Sequence, residues 1–371
     1  MLDMLSAPDA AIARFARIAH PAPTPAAARA AMLADPGFGK SFTDNMVTIR
    51  YRAGIGWHDA EIGPRRAVSL DPSAAVLHYA QEIFEGLKVY RRPDGSIALF
   101  RPEANARRFT ASAERMAMEP LPEDWFLDSV KALAITERDW VPGTPGATLY
   151  LRPFLIGSDV FLGVKPSAEY LFAVIASPAG SYFKGGVDAV SLWVSTEYTR
   201  AAPGGTGAAK CGGNYAASLI AQAEAARRGH HQVLFLDAAE RRWIEELGGM
   251  NIFFVFDDGS LLTPPLGGTI LAGVTRDSLI TLARDRGLTV REERYAIDQA
   301  QADAASGRLV EAFACGTASV VMPIGAMTLG DARFTIGSGG PGATTQALRD
   351  ALTAIQFGTA PDPYGWCVPI G

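Results

Sequence analysis

The chain has 371 residues, of which 48% are hydrophobic and 20% charged, and its formal net charge is −5. A chain of this length and composition is expected to fold as two globular domains rather than to remain disordered. Acidic and basic residues are interspersed without a basic stripe, so nucleic-acid binding is not indicated, and no apolar run reaches the roughly 18 residues that span a membrane.

The cysteines and histidines limit the chemistry further. Cys211, Cys315 and Cys367 are far apart and odd in number, which is typical of reduced cytosolic thiols and not of a disulfide framework. The chain has only five histidines and no close cluster of cysteine and histidine. We therefore expect a cytoplasmic protein that binds no metal ion.

The first half of the chain alternates between strand and helix patterns. Residues 1–35 are rich in alanine and proline, and we expect them to form a frayed or surface-wrapping arm. A Pro-Asp-Gly turn between two apolar runs predicts a hairpin, and Pro102 suits the first turn of a helix. In chain order, the predicted elements are a strand at NMVTIRY, the hairpin KVYRRPDGSIALF, helices at RPEANARRFTASAERMAM and EDWFLDSVKALAITERDW, and strands at ATLYLRPFLIG and YLFAVIASP.

Proline, serine and glycine then interrupt the pattern in SPAGSYFKGG. We predict an interdomain linker at 178–187, between an N-terminal domain at 1–177 and a C-terminal domain at 188–371. The elements predicted after it are a strand at VDAVSLWVS, a helix at YAASLIAQAEAARRG, strands at QVLFLD, MNIFFVF and SLLTPP, a helix at TRDSLITLARDRG, a strand at LTVREERYAI and a helix at TTQALRDALTAIQFG. Hairpins mixed with single helices indicate α/β or α+β layers rather than a regular βαβ series.

One lysine, Lys210, lies in the passage richest in glycine and alanine, AAPGGTGAAKCGGNY. Taken alone, it would be a solvated loop lysine beside flexible glycines, which is the ordinary position of this residue type. Small neighbours would also let a flat ring lie against the backbone. A lysine amine can form a Schiff base with an aldehyde cofactor such as pyridoxal phosphate, so Lys210 is a candidate for covalent catalysis.

Pyridoxal phosphate also needs an anion at its pyridine nitrogen, donors for its phosphate and a partner for its ring hydroxyl. Glu245 and Glu246 enter an apolar strand in EELGGMNIFFV, where a carboxylate needs a partner. The turns LAGVTRDSL and ACGTASVV offer backbone amides and hydroxyls at Thr275 and Thr317. Tyr215 follows the lysine closely and could reach the ring hydroxyl. Each of these residues alone is also consistent with an ordinary structural position.

A second passage, ADPGFGKS at 34–41, ends like a phosphate-binding P-loop. However, Ala34 stands at the first required glycine, and the following FTDNMVTIRY alternates like a strand where a P-loop needs a helix. We therefore do not expect a nucleoside triphosphatase.

Several motifs together resemble one enzyme family. KCGGNY, ELGGMN, TPPLGGTILAGVTR and GTASVV, in this order and spacing, resemble the branched-chain amino acid aminotransferases, which are pyridoxal-phosphate enzymes of fold type IV. FGKSFTDNM, LHYAQEIFEGLKVYR, LFRPEANARRF and LYLRPFLIG extend the resemblance through the first half. It implies a two-domain α/β (α+β) fold with a larger C-terminal, cofactor-binding domain, and a homodimer.

The resemblance also implies roles around the cofactor. Lys210 would form the internal aldimine and then move a proton between the substrate Cα and the cofactor C4′. Glu246 would pair with the pyridinium nitrogen and keep the ring an electron sink. Further implied contacts are Tyr215 at the ring oxygen and Arg108, Val274, Thr275 and Thr317 at the phosphate. Arg101 and Arg107 flank Arg108, and the spacing after FRP favours Arg108.

On the substrate side, the resemblance implies that the turn at Thr317 and Ala318 binds the α-carboxylate. Arg152 matches an arginine that binds the distal carboxylate of glutamate. The loop of Val164 would come from a partner subunit. The residues implied to line the apolar pocket are Phe38, Tyr79, Phe84, Tyr150 and Val164.

The chain departs from the family pattern at two places. Mammalian members carry a Cys-x-x-Cys redox pair after the GTA turn, whereas Ser319 and Met322 stand here, so that redox switch is not expected. Gly249 stands where many relatives have threonine in the ELG-x-MN motif, which removes a hydroxyl near the substrate.

The implied reaction is ping-pong transfer of the amino group from leucine, isoleucine or valine to 2-oxoglutarate. An apolar pocket separates such side chains by only about 1–3 kcal/mol, so activity on all three is expected. A D-amino acid aminotransferase or an aminodeoxychorismate lyase would keep Lys210 and Glu246, but the N-terminal motifs and Arg152 favour the branched-chain enzymes. A non-catalytic pyridoxal-phosphate-binding protein would be favoured if Lys210 or Glu246 were missing.

Overall fold

The computed structural model describes residues 11–180 and 189–371, in which helices and strands are mixed along the chain. The chain forms two compact units. The first contains Met1–Tyr182, Ala209–Cys211 and Ile355–Gly371, and the second contains Phe183–Ala208 and Gly212–Ala354. Of the predicted linker at 178–187, residues 181–187 lie outside the described residues, and Ala179 ends a strand.

The first unit is built on one mixed sheet. Its strands are β1 (Ala16–Arg17), β2 (Asn45–Arg52), β3 (Gly56–Pro64), β4 (Glu82–Phe84), β5 (Leu87–Arg91), β6 (Ile97–Phe100), β7 (Thr148–Gly157), β8 (Glu169–Ala179) and β18 (Cys367–Ile370). Their order across the sheet is β1-β3-β2-β8-β7-β5-β6-β18, with β4 paired to β7. β1 runs parallel to β3, and the other described pairs are antiparallel.

The helices of the first unit are α1 (Ala26–Ala34), α2 (Ala75–Tyr79), α3 (Pro102–Arg115) and α4 (Glu123–Thr136), followed by a short 3-10 helix at Arg138–Trp140. α3 begins at Pro102, as predicted, and buries Ala106 and Phe109 on one face. Phe109 contacts Phe126 of α4 and Phe172 of β8, with ring centroids 5.2 and 5.6 Å apart. These rings belong to the first hydrophobic core, which therefore joins both helices to the sheet.

The described part of the N-terminal arm lies on the first unit. Phe15 is buried in the first core, and Ala16 and Arg17 pair with β3. α1 buries no residue of its own, but Arg29 forms an ion pair with Asp139 at 2.9 Å. From residue 11 onward the arm is thus attached by a strand pair, a buried ring and an ion pair.

Two segments from the second half of the sequence pack with the first unit. β18 pairs with β6, and Cys211 is buried in the first core. The Phe84 N–H donates to the Lys210 carbonyl at 3.0 Å, and the Lys210 N–H donates to the Ser112 hydroxyl at 2.9 Å. The division predicted from the sequence places both segments in the C-terminal domain, and that domain assignment stays a prediction.

The second unit is built on another mixed sheet. Its strands are β9 (Val190–Ser195), β10 (Gln232–Leu236), β11 (Ile244–Leu247), β12 (Asn251–Phe256), β13 (Leu261–Thr263), β14 (Val290–Glu292), β15 (Leu309–Gly316), β16 (Val320–Leu329) and β17 (Ala332–Thr335). Their order is β11-β10-β9-β16-β15-β12-β13-β14, with β17 paired to β16. β12 is buried at every position, which explains its apolar sequence after Asn251.

The remaining helices are α5 (Gly212–Arg227), α6 (Val274–Asp285), α7 (Ile297–Ser306) and α8 (Ala343–Phe357). The predicted strand LTVREERYAI is shorter than expected. Only Val290–Glu292 is paired, because Ala296 bridges to Trp243 and Ile297 already begins α7. Among the described residues, no helix has the length and apolar character needed to cross a membrane. The predicted mixed α/β class is confirmed.

Candidate active site

Lys210 is fixed at its backbone and partly buried at its side chain. Its main chain is held by Phe84 and Ser112, as described above, and its Nζ lies 4.8 Å from the centre of the Phe84 ring. Burial lowers the pKa of Lys210 to about 8, and the charge of Arg108 acts in the same direction. The lysine can therefore supply a free amine close to neutral pH, as covalent catalysis requires.

Arg108 is held by a carboxylate that the sequence interpretation did not single out. Glu85 is completely buried and accepts hydrogen bonds from Arg108 Nε at 2.7 Å and Nη2 at 2.8 Å. Asn105 Nδ2 and the Gly86 N–H also donate to Glu85, at 2.8 and 3.1 Å. Burial acts to raise the pKa of Glu85, but Arg108, with help from Lys210 and Asn105, holds that pKa below its ordinary value. The forked contact fixes the plane of the guanidinium.

The two arginines that flank Arg108 in the sequence have other surroundings. Arg101 precedes α3 in a left-handed conformation, and its guanidinium lies 5.2 Å from the centre of a Trp366 ring. Arg107 is exposed. Of the three, Arg108 is the one for which the structure shows interactions with both Glu85 and Lys210.

Three of the predicted pocket aromatics lie around Arg152. The guanidinium is 4.8 Å from the centre of the Phe84 ring and 5.3 Å from that of Tyr150, and it donates to the Tyr150 hydroxyl at 3.2 Å. Phe38 packs edge-on against Tyr150 at 5.3 Å. Within residues 11–180 and 189–371, no carboxylate forms an ion pair with Arg152, and its buried Nε has no hydrogen-bond partner. The Arg152 guanidinium thus contacts the aromatic side chains of Phe84 and Tyr150 in this group.

The other two predicted pocket residues lie at an exposed loop. The Tyr79 hydroxyl donates to the Leu162 carbonyl, and the side chain of Val164 is 89% exposed. Val160 and Leu162 in the same loop are also exposed. This is an apolar surface of the kind that marks contact with another molecule.

In the second unit, Glu246 is the carboxylate with the richest set of donors near the predicted site. Its Oε1 accepts from Arg200 Nη1 and from the Leu271 N–H, each at 2.9 Å, and its Oε2 accepts from Asn251 Nδ2 at 3.3 Å. Glu245 faces the other side of β11, where it accepts from the Thr269 hydroxyl, as the alternation of a strand requires.

The surroundings of Glu245 and Glu246 differ in consequence. Burial raises the pKa of Glu245, and the Thr269 hydroxyl only partly offsets it. Glu246 instead faces a guanidinium, whose charge favours an ionised carboxylate. The structure therefore favours Glu246 over Glu245 as the buried anion.

The turn from Gly249 to Asn251 brings the remaining predicted residues into one region of the second unit. A Cβ at Gly249 would lie 3.4 Å from the Tyr215 ring, and a Cβ at Gly316 would lie 3.3 Å from the Met250 side chain. Gly316 is followed by the turn that contains Thr317 and Ala318. A Cβ at Gly273 would collide with the Asn251 side chain, so only glycine fits there.

Gly273 is also the residue that precedes α6, whose first residues are Val274 and Thr275. The first N–H groups of a helix have no partner within the helix and attract anions. This helix start and the Thr317 turn therefore border the same three-residue turn, 249–251.

The residues present fit pyridoxal phosphate. The first unit supplies an amine of lowered pKa and an arginine fixed by Glu85. The second unit supplies a buried, ion-paired carboxylate, a tyrosine beside Gly249 and a helix N-terminus. Each unit by itself thus carries groups of the kinds that this cofactor needs.

Sequence reasoning missed Glu85, Arg200 and Asn251. Glu85 had a signal, because it interrupts the apolar run EIFEGLKVY, and a carboxylate within such a run must find a partner. Asn251 lies inside the quoted ELGGMN motif but was assigned no role. Arg200 had no signal in the sequence, since its partners come from distant segments.

Comparison with known proteins defines the class. The amino-transferase class IV family matches residues 82–327 of the chain. The chain belongs to this family and is an aminotransferase. The family resemblance predicted from the sequence, including fold type IV, is confirmed.

Relatives of higher sequence identity indicate which kind of class IV aminotransferase the chain resembles. The chain is 58% identical over 339 residues to a probable branched-chain-amino-acid aminotransferase of Streptomyces coelicolor, which covers 91% of this chain and 93% of that protein. It is 55% identical over 353 residues to the branched-chain-amino-acid aminotransferase of Mycobacterium tuberculosis, covering 94% and 96%.

Solved structures agree. The branched-chain amino acid aminotransferase of Escherichia coli matches with a TM-score of 0.71 and 28% identity, covering 86% of this chain and 98% of that one. The T.th. branched-chain amino acid aminotransferase complexed with N-(5′-phosphopyridoxyl)-L-glutamate matches with a TM-score of 0.70 and 28% identity, covering 86% and 97%.

Proposed function

We propose that the protein is a branched-chain amino acid aminotransferase, which transfers the amino group of leucine, isoleucine or valine reversibly to 2-oxoglutarate. The observation that carries this proposal is the 55–58% identity to relatives of that name over more than nine tenths of the chain. The alternatives, a D-amino acid aminotransferase, an aminodeoxychorismate lyase or a non-catalytic binding protein, are not favoured by these relatives.

The proposed cofactor is pyridoxal 5′-phosphate, which supplies an electron sink when it is bound. Lys210 would hold it covalently, Glu246 would pair with its pyridine nitrogen, and Tyr215 would donate to its ring oxygen. At the phosphate we place Arg108, the amides of Val274 and Thr275, and Thr317. The T.th. relative with a phosphopyridoxyl-glutamate ligand supports this choice of cofactor.

Lys210 would also carry the proton of the reaction. As a free amine, Lys210 would move a proton between the substrate Cα and the cofactor C4′. An amine whose pKa lies at about 8 can both accept and release a proton near neutral pH. The backbone bonds to Phe84 and Ser112 fix the point from which the side chain extends.

The substrate side chain would lie among Phe38, Phe84 and Tyr150, with Tyr79 and Val164 completing the apolar pocket and the Thr317–Ala318 turn at the α-carboxylate. Arg152 would bind the distal carboxylate of glutamate. Because no described carboxylate pairs with Arg152 and its head lies against aromatic faces, it can bind a ligand carboxylate without first breaking an ion pair.

We further propose a homodimer located in the cytoplasm. The exposed apolar loop at Val160, Leu162 and Val164 supports a protein partner, and the resemblance points to a second copy of the chain. Cys211, Cys315 and Cys367 are all free thiols, which supports a reducing compartment.

The experiment that tests this function follows the cofactor through each half of the reaction. The purified protein should absorb visible light because its cofactor is covalently bonded to Lys210. L-Leucine should abolish that band, 2-oxoglutarate should restore it, and Lys210→Ala should show neither change. A visible band that D-alanine abolishes and L-leucine leaves intact would instead support a D-amino acid aminotransferase.

A further inference from the structure

A buried arginine, Arg200, contacts three segments of the second unit. Its Nη1 donates to Glu246 Oε1 at 2.9 Å, to the Thr269 carbonyl at 3.1 Å and to the Gly207 carbonyl at 3.3 Å. The side chains of Arg200 and Glu246 are each only 2% exposed. A buried ion pair of this kind is costly to desolvate, so its presence alone does not indicate a gain in stability.

The geometry at Glu246 shows what the pair does. Arg200 and the Leu271 N–H both donate to Oε1, while Asn251 donates to Oε2. Donors on both oxygens fix the plane of the carboxylate. The charge of Arg200 also favours the ionised form, since a buried carboxylate without a cation would tend to take up a proton.

We propose that Arg200 is a positioning residue for the cofactor, because it holds Glu246 ionised and oriented so that this carboxylate can pair with the pyridine nitrogen. The inference rests on the proposed function, in which Glu246 binds that nitrogen. Arg200 itself would act through Glu246, with which its guanidinium pairs.

The same guanidinium also ties together two backbone segments that approach closely. A Cβ at Gly207 would collide with the backbone of Thr269, so the two segments meet in van der Waals contact at this point. Arg200 donates to the carbonyls of both residues while it pairs with Glu246. An ammonium group is a compact charge without the planar fork of a guanidinium, so lysine would keep the charge but not this set of contacts.

The test compares two ligands of the cofactor-free protein. One is pyridoxal phosphate, and the other is its 1-deaza analogue, in which carbon replaces the ring nitrogen and leaves Glu246 nothing to pair with. A charge-assisted hydrogen bond makes the wild-type protein bind pyridoxal phosphate roughly 10- to 100-fold more tightly than the analogue. The dissociation constants are measured by equilibrium titration.

Arg200→Met is expected to reduce this ratio to within about 3-fold, since an unsupported Glu246 becomes neutral or turns away. Arg200→Gln should behave in the same way, and Arg200→Lys, which restores the charge, should recover part of the ratio. The matched control is Arg276→Met. Arg276 is as buried as Arg200 and pairs with Glu292 and the Pro264 carbonyl, so its loss should lower stability but leave the ratio intact.

The outcomes separate this inference from the proposed function. If the wild-type protein binds both ligands equally, Glu246 does not serve the ring nitrogen, and both proposals fail. In the other case, the wild-type protein binds pyridoxal phosphate more tightly than the 1-deaza analogue, as expected. If Arg200→Met or Arg200→Gln then keeps or increases the ratio of the two dissociation constants, only the inference about Arg200 is wrong. A ratio lost equally in Arg276→Met would mean that the effect reflects general loosening, which would also overturn it.

Discussion

The amine of Lys210 lies where burial and a neighbouring cation both disfavour its charged form. Arg108 opposes protonation, Arg152 adds to the same effect, and Glu85 and Tyr150 act in the opposite direction. The net result is a pKa of about 8, against 10.5 for an ordinary lysine. At the scale of single residues, burial and these neighbouring charges together set the pH above which the lysine amine is unprotonated and can react with an aldehyde.

The first prediction follows from that pKa. Below about pH 8 the amine of the cofactor-free protein is protonated, so its rate of reaction with pyridoxal phosphate should rise about tenfold per pH unit and level off above about pH 8. Stopped-flow absorbance of the visible band measures this rate. A rate still climbing at about pH 10 would show a lysine of ordinary pKa.

The second prediction separates two adjacent carboxylates. Glu246→Gln should keep the fold and still bind cofactor but slow the reaction with leucine strongly, because an unprotonated pyridine is a poor electron sink. Glu245→Gln should change the rate little, since Glu245 faces Thr269 on the other side of β11. Single-turnover spectra provide the comparison, and a reversal of the two effects would mean that the wrong side of the strand has been assigned.

The third prediction concerns how one pocket accepts both leucine and glutamate. A carboxylate cannot be buried without a partner, and among the described residues no carboxylate forms an ion pair with Arg152. Since a charge-assisted hydrogen bond is worth about 1.5–3 kcal/mol, Arg152→Gln should slow the half-reaction with glutamate roughly 10- to 100-fold and the leucine half-reaction much less. Equal losses in both half-reactions would assign Arg152 to the fold or the cofactor instead.

At the scale of elements, local signals in the sequence were sufficient for most helices and strands. The predicted Pro-Asp-Gly turn joins β5 and β6, which pair as a hairpin, and α3 begins at Pro102 as predicted. Pairings between distant segments had no such signal. β18 adds to the edge of the first sheet beside β6, and β4, which carries Phe84, pairs with β7.

The same limit applied to the candidate site. Lys210, Tyr215, Glu246 and Thr317 stand in motifs whose residue types and spacing indicate their chemistry, so the sequence names them as candidates, and their roles stay predictions. The residues that hold this chemistry in place could not be predicted in the same way, because their partners are assembled only by folding. Asn105 reaches Glu85 from α3, and Arg200 reaches Glu246 from another segment of the chain.

The fourth prediction tests why glycine is needed before Lys210. Gly207→Ala should destabilise the protein by about 1–3 kcal/mol, because the added Cβ would collide with the backbone of Thr269 and force a shift. Gly213→Ala is the control, since residue 213 lies in α5 and a Cβ added there meets no atom within 4 Å. Denaturant unfolding of the cofactor-free proteins measures both changes, and equal midpoints for the two variants would contradict the account.

At the scale of the whole molecule, the chain presents an apolar loop that its own described residues leave exposed. Val160, Leu162 and Val164 are 58%, 67% and 89% exposed. Several exposed apolar side chains in one loop are consistent with a binding interface. The proposed homodimer would give this loop a partner.

The fifth prediction tests that assembly. The wild-type protein should sediment as a dimer, and Leu162→Asp should weaken the dimer because a charge would be buried in an apolar contact. Ile55→Asp is the control, since Ile55 is 63% exposed at the turn between β2 and β3. Analytical ultracentrifugation over a range of concentrations gives the dissociation constants. A wild-type protein that remains monomeric throughout would rule out the proposed dimer.

The central claim is that the chain moves an amino group from a branched-chain amino acid to 2-oxoglutarate. It is tested most directly by incubating the purified protein, saturated with pyridoxal phosphate, with 2-oxoglutarate and leucine whose amino group carries heavy nitrogen. Mass spectrometry should find the label in glutamate, with one branched 2-oxo acid formed per labelled glutamate, and isoleucine and valine should behave alike. Label that stays in leucine, or that appears as free ammonia without glutamate, would contradict the account.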